Sequence, residues 1–193
     1  MKKRFVLALL GLWLGLSMNA YAAMRGGESG VLAPDRVGHW DLGIGVAAGM
    51  NDAADDSVFI YGQASYGVTP YIGLGIEAGW EEADGERNNE TVGVVPIMAD
   101  IIIRVPTVHE ALVPYGILGL GGADVYVDRD NLDDDSDTGF AWKLGAGFDY
   151  FINTNWIFNF EFTYWSTDVD IANTSVDDGF DWWTIGVALK YVF

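Results

Sequence analysis

From Asp181 to Phe193 the chain alternates with a period of two. Trp183, Ile185, Val187, Leu189, Tyr191 and Phe193 are apolar; between them lie Trp182, Thr184, Gly186, Ala188, Lys190 and Val192, a smaller and more polar set. That period belongs to a strand with two unlike faces. The apolar face is unbroken and carries aromatics at both ends, as in a membrane-spanning strand whose lipid-facing band lies between aromatic girdles. One strand cannot satisfy its backbone groups in lipid, whereas a closed barrel can. The feature therefore requires the rest of the chain to supply further strands of the same kind.

Seven more stretches alternate: His39 to Met50, Val58 to Val68, Tyr71 to Trp80, Val92 to Val105, Val113 to Asp124, Phe140 to Tyr150 and Trp156 to Tyr164. Together they predict an all-β fold, an eight-stranded antiparallel up-and-down transmembrane barrel, and eight is an even number as bacterial outer-membrane barrels require. Pro96 cannot donate to a ladder, so it is expected at a bulge or near a strand end. Gly121-Gly122 is read as a bulge. The connections after strands two, four and six are short or modest. Those after strands one, three, five and seven (Asn51 to Ser57, Glu81 to Thr91, Val125 to Thr138, Ser166 to Gly179) carry most of the acidic residues. Short periplasmic turns and longer extracellular loops are the arrangement of this class, which puts both chain ends in the periplasm.

The N-terminus reads as a targeting segment. Lys2, Lys3 and Arg4 precede the apolar run Phe5 to Leu16, and Ala20-Tyr21-Ala22 is a small-x-small cleavage pattern. Residues 1–22 are thus a secretory signal peptide cut after Ala22 or Ala23. Residues 23–36 form a flexible lead-in and 37–193 the barrel. With three of the 10 basic residues and none of the 28 acidic ones in the signal, the mature net charge is 7 − 28 = −21. Phosphate binding needs a basic surface, so nucleic acid is excluded as a partner. The chain has no cysteine, hence no disulfide and no thiolate chemistry.

Charged residues within the strands decide which face is inside. Asp41, Glu77, Asp100, Arg104, Lys143, Asp149, Glu161 and Lys190 all fall opposite the aromatic face. A soluble barrel would have to bury rows such as Phe158, Phe160, Phe162 and Tyr164 in an interior just wide enough for side chains. The aromatic rows therefore face lipid, and the charges and the many glycines beside them face the lumen.

Val113-Pro114-Tyr115 with the Gly-rich stretch after it, Gly145 to Phe151 (GAGFDYF), and Tyr191-Val192-Phe193 resemble the small eight-stranded outer-membrane barrels: the OmpA transmembrane domain, the OmpX and Ail adhesin group and the OmpW-like proteins. The resemblance implies the outer membrane of a Gram-negative bacterium, contact with lipid and lipopolysaccharide, and a monomer. It also implies that Tyr191 and Phe193 form the C-terminal signal read by the barrel assembly machinery. Its motifs are architectural and fix fold and location far better than activity.

Three candidate sites follow. Glu77, Asp100 and Glu161 are expected to pair with Arg104, Lys143 and Lys190 across the lumen, since unpaired charge there is costly. The network reads as a static ionic plug, with a gate as the alternative. Asp133-x-Asp135-x-Asp137 resembles the start of a calcium loop, but Thr138 stands where a glycine belongs and Leu144 where the glutamate should be. Loosely held divalent cations at the acidic loops, and no other cofactor, are the expectation. Catalysis of the lipid A-modifying kind needs a base within about 3 Å of its nucleophile. His39 and His109 are both predicted at the periplasmic end, whereas Ser57, Ser65, Ser166 and Ser175 lie elsewhere, mostly near the other end, so no catalytic residue is assigned. The expected role is structural or adhesin-like, through acidic extracellular loops that take a surface protein ligand. The alternative is a small channel or carrier for hydrophobic or ionic solutes.

Overall fold

The computed structural model describes residues 36–51, 57–84, 90–105, 111–129, 135–169 and 179–193. Eight strands follow in order: β1 (Trp40–Asn51), β2 (Ser57–Gly67), β3 (Ile72–Asp84), β4 (Glu90–Arg104), β5 (Leu112–Arg129), β6 (Asp135–Phe151), β7 (Trp156–Thr167) and β8 (Phe180–Val192). Each pairs antiparallel with the next, and β8 returns to β1 from Asp41–Val192 to Asn51–Trp182, closing the barrel. Closure leaves no free sheet edge along the shared height of the wall.

The alternation assigns the faces as expected. Ile44, Ile76 and Ile97 point outward and are 76%, 63% and 65% exposed, while Phe59, Tyr115 and Lys143 point inward and are buried. Outward aromatics mark two levels. Trp40, Tyr71, Tyr150 and Trp156 lie at the lower end, which carries both the start of β1 and the end of β8; Trp80 and Phe140 lie near the upper end. The two described lower turns are tight because a side-chain oxygen replaces a strand partner. Thr69 Oγ1 accepts from the amides of Tyr71 and Ile72 at 3.2 and 2.9 Å. Asn153 Oδ1 accepts from those of Asn155 and Trp156, both at 2.9 Å, the Asx-turn geometry.

Four expectations change. The Val125 to Thr138 connection is mostly strand: β5 runs to Arg129 and β6 starts at Asp135, paired up to Val127–Asp135. Ala123, Val125 and Val127 continue the inward alternation and are buried, so the apolar face, not the acidic composition, sets the strand length. β3 and β4 likewise extend to Asp84 and from Glu90. Gly121-Gly122 is not a bulge, because pairing to β4 and β6 runs through it without an inserted residue; a Cβ at Gly121 would strike Met98 and the carbonyl of Ile97. Pro96 sits mid-strand. Pairing to β3 lapses between Ala78–Ile97 and Glu81–Val94 and resumes in the same register, so the missing N–H costs a gap in one ladder rather than a bulge.

Candidate functional site in the barrel lumen

The lumen is filled in layers. In its middle Lys143, on β6, is fully buried, with Nζ 3.0 Å from Glu77 of β3 and 3.1 Å from Asp100 of β4. Its stem crosses Gly119 of β5, the residue directly opposite. A Cβ there would meet Lys143 Cγ at 2.7 Å, so only glycine lets the lysine reach across. The ammonium also lies 4.8 Å from the centre of the Trp165 ring. It thus trades water for two carboxylates and an aromatic face, the compensation that a buried charge needs.

Below this layer lies a second network. Lys190 Nζ donates to Asp149 at 3.2 Å and sits 5.4 Å from the Tyr115 ring centre. Arg104 Nη2 lies 3.7 Å from Asp41, which accepts from Ser65 Oγ at 2.7 Å. Asn159 donates to Tyr115 at 2.7 Å and to Asp149 at 2.9 Å, and the Tyr115 hydroxyl donates to Glu161 at 2.5 Å. Arg36 completes the group by donating to Asp149 at 2.7 Å and to Asp41.

The expected six residues are all inside, but they divide differently. Lys143 takes Glu77 and Asp100 as predicted. Arg104 and Lys190 belong to the lower network with Asp41 and Asp149, because Arg104 is the last residue of β4 and lies about 13 Å further down the strand than Asp100. Among the described residues Glu161 takes no lysine or arginine; it accepts from Tyr115 and, at 2.8 Å, from Thr163. Arg36, within the expected lead-in, is only 4% exposed. A signal for it existed: among the described residues six inward carboxylates (Asp41, Glu77, Glu81, Asp100, Asp149, Glu161) outnumber three strand-borne cations (Arg104, Lys143, Lys190), so a further cation from outside the strands is expected.

Both ends of the lumen are apolar. Phe59, Trp165, Trp182 and Phe180 stack above Lys143, with ring centres 5.2 to 5.6 Å apart, and Val92, Val94, Val125 and Val127 enclose them. Val113, Phe151, Ile157 and Val192 cluster at the bottom. Between the layers a cavity of about 10 Å³, lined by Tyr61, Glu77, Glu161, Trp165 and Thr184 among others, has room for one water at most.

Of the calcium-loop candidates, Asp133 lies outside the described residues. Asp135 and Asp137 fall on β6, which begins at Asp135, rather than in a loop. No group of three metal-ligating side chains occurs among the described residues. Tyr191 and Phe193 stack edge to face at 4.9 Å at the lower end of the β1–β8 seam, where Phe193 N donates to Trp40 O at 2.9 Å and His39 Nδ1 meets the Phe193 carbonyl at 2.6 Å. His109 lies outside the described residues.

A closed eight-stranded barrel with lipid-type aromatics outside and ion pairs inside has counterparts among known proteins. The model of the outer membrane protein beta-barrel domain matches residues 8–193. The chain belongs to that family. It is an outer-membrane protein of a Gram-negative bacterium, and its outward face meets lipid and lipopolysaccharide. It is 29% identical over 163 residues to the 31 kDa outer-membrane immunogenic proteins of Brucella melitensis and Brucella suis, an alignment covering 77% of this chain. The chain spans about 65% of the length of these curated relatives. Neisserial surface protein A superposes with a TM-score of 0.67 at 12% identity, over 80% of this chain and 98% of its own. Ail, the attachment invasion locus protein of Yersinia pestis, does so with 0.56 at 16%, over 81% and 99%. Ail is also known in complex with the heparin analogue sucrose octasulfate. At these identities the two structures show a shared fold.

Proposed function

We propose that this protein is a non-enzymatic, monomeric outer-membrane barrel with a structural or adhesin-like role, working through the acidic ends of its upper hairpins. The observation that carries this is the filling of the lumen. Among the described residues, two ionic layers and two apolar clusters occupy its length, and the cavity lined by Glu77, Glu161 and Trp165 is water-sized. A continuous water path is what a channel needs, and an eight-stranded lumen packed with side chains lacks room for one. The lower end, with its tight turns and both strand termini, is the periplasmic end in this reading, and Tyr191 and Phe193 are the assembly signal. The upper strands then rise outside the cell, where Glu82, Asp84, Asp124 and Asp128 face outward.

The partner that fits such a surface is cationic: a basic protein segment, or loosely held divalent ions shared with lipopolysaccharide phosphates. A sulfated polyanion, as seen with Ail, is a poor match to a chain with formal charge −18. The catalytic alternative has little to work with. His39 lies at the lower end against the Phe193 carbonyl; Ser57 lies at the upper end donating to Glu81, and Ser65 is buried in the lumen donating to Asp41.

Single-channel recording of the refolded mature protein in planar bilayers tests the reading. Silence from inserted, folded protein is the expected result. Discrete openings that change in Lys143→Ala or Lys190→Ala would replace it with a channel function.

A further inference from the structure

The two ends of the lumen are closed by different means. The upper seal is made by strand residues packed ring on ring. At the lower end, Val113, Phe151, Ile157 and Val192 close the β5–β8 side. Arg36, which is on no strand, lies buried at the same end between Asp41 of β1 and Asp149 of β6. Its crossing is built into the backbone. Gly38 turns the chain with φ +80, a conformation that glycine adopts without cost. Val37 pairs in parallel with Gly67, and a side chain at Gly67 would collide with the Arg36 backbone.

What Arg36 enters is a site in its own right. Its two terminal nitrogens reach two carboxylates from different strands, Asp41 of β1 and Asp149 of β6, while its guanidinium carbon sits 5.6 Å from the Phe151 ring centre. Two acceptors for a planar fork beside an aromatic face is the recognition pattern of a guanidinium rather than of an ammonium. The acceptors are also held without Arg36. Asp41 is held by Ser65 at 2.7 Å; Asp149 is held by Asn159 at 2.9 Å and Lys190 at 3.2 Å. The socket is therefore preformed by the wall, and its occupant comes from an off-strand segment held against Gly67 by the Val37 bridge and by the Gly38 N–Gly67 O and Gly67 N–His39 O hydrogen bonds.

We propose that the lower floor of the lumen is a guanidinium-binding socket, occupied in cis by Arg36 and able to take a free alkylguanidinium when Arg36 is absent. Arg36 is then a removable stopper, whereas Arg104, Lys143 and Lys190 are fixed parts of the wall. The inference holds whichever partner the upper hairpins take.

The absence of native cysteine makes a clean probe available. Ile102, inward-facing and one alternation above Arg104, is replaced by cysteine in the full mature protein, and its labelling by a small water-soluble thiol reagent is timed. Ile102→Cys alone is expected to react slowly. Adding Arg36→Ala should speed labelling at least about tenfold, the change that about 1.4 kcal/mol of lost closure produces. Millimolar methylguanidinium should slow it again, and methylurea, similar in shape but neutral, should not. Equal rates with and without the Arg36 side chain overturn the stopper. Equal effects of methylguanidinium and methylurea overturn the socket. If Arg36→Ala assembles poorly, its refolding yield is the readout. A gain with methylguanidinium alone supports the proposal, and an equal yield with the two additives counts against it.

Discussion

Lys143 is the residue on which the interior most depends. It has no exposure to solvent and is the nearest cation to both Glu77 and Asp100. Lys143→Ala leaves two carboxylates buried without a cation and is expected to cost about 3–5 kcal/mol, because breaking a buried pair strands the remaining charge. Urea unfolding of the protein in lipid bilayers measures it. Lys143→Met combined with Glu77→Gln and Asp100→Asn should recover most of the loss, since a neutral layer of similar volume removes the stranded charge along with the pair. A triple variant no more stable than Lys143→Ala would mean that packing against Trp165 and Gly119, rather than charge, dominates there. The identity of this cluster was legible in the sequence because each member sits at an inward position of an alternating strand. Its partition was not, since alternation gives the face of a residue but not its height. Height is what puts Arg104 with Asp41 instead of Asp100, and Arg36, on no strand, has no alternation to announce it.

Among the elements, β7 states the inside-out assignment most plainly. Phe158, Phe160 and Phe162 point outward, and Phe160 stacks on Phe148 of β6 at 5.3 Å; Asn159, Glu161 and Thr163 point inward and are buried. Phe160→Arg is expected to destabilise the barrel by about 2–4 kcal/mol if the residue lies near the bilayer midplane, again read by unfolding in bilayers. Stability equal to that of the parent would contradict a lipid-facing β7. All eight strands were readable from the period of two, and the two described tight turns from Thr69-Pro70 and Asn153-Thr154-Asn155. The upper ends of β3 to β6 were not. There the outward residues Glu82, Asp84, Asp124 and Asp128 have the composition of a loop, while Ala83, Val92, Val94, Val125 and Val127 keep an apolar face underneath. Two signals overlap in these stretches, and the backbone follows the buried one.

At the scale of the whole molecule, the division of charge matters most. Four cations (Arg36, Arg104, Lys143 and Lys190) are buried in the lumen, so little positive charge is left for the outside of a chain with 28 acidic residues. The protein in bilayers should therefore be retained by immobilised polylysine and pass through immobilised heparin at low ionic strength. The retention should fade as salt shortens the screening length to below about 8 Å. Heparin binding would place a basic site on the upper hairpins and reverse the choice of partner made above. The β5–β6 ladder has one more consequence. It runs from Leu112–Tyr150 up to Val127–Asp135, past the upper aromatic level, with a buried face of its own. The ladder thus ends well above the ionic layers of the lumen. A foreign peptide spliced in at that point would ride on a finished scaffold, making the barrel a carrier for cell-surface display.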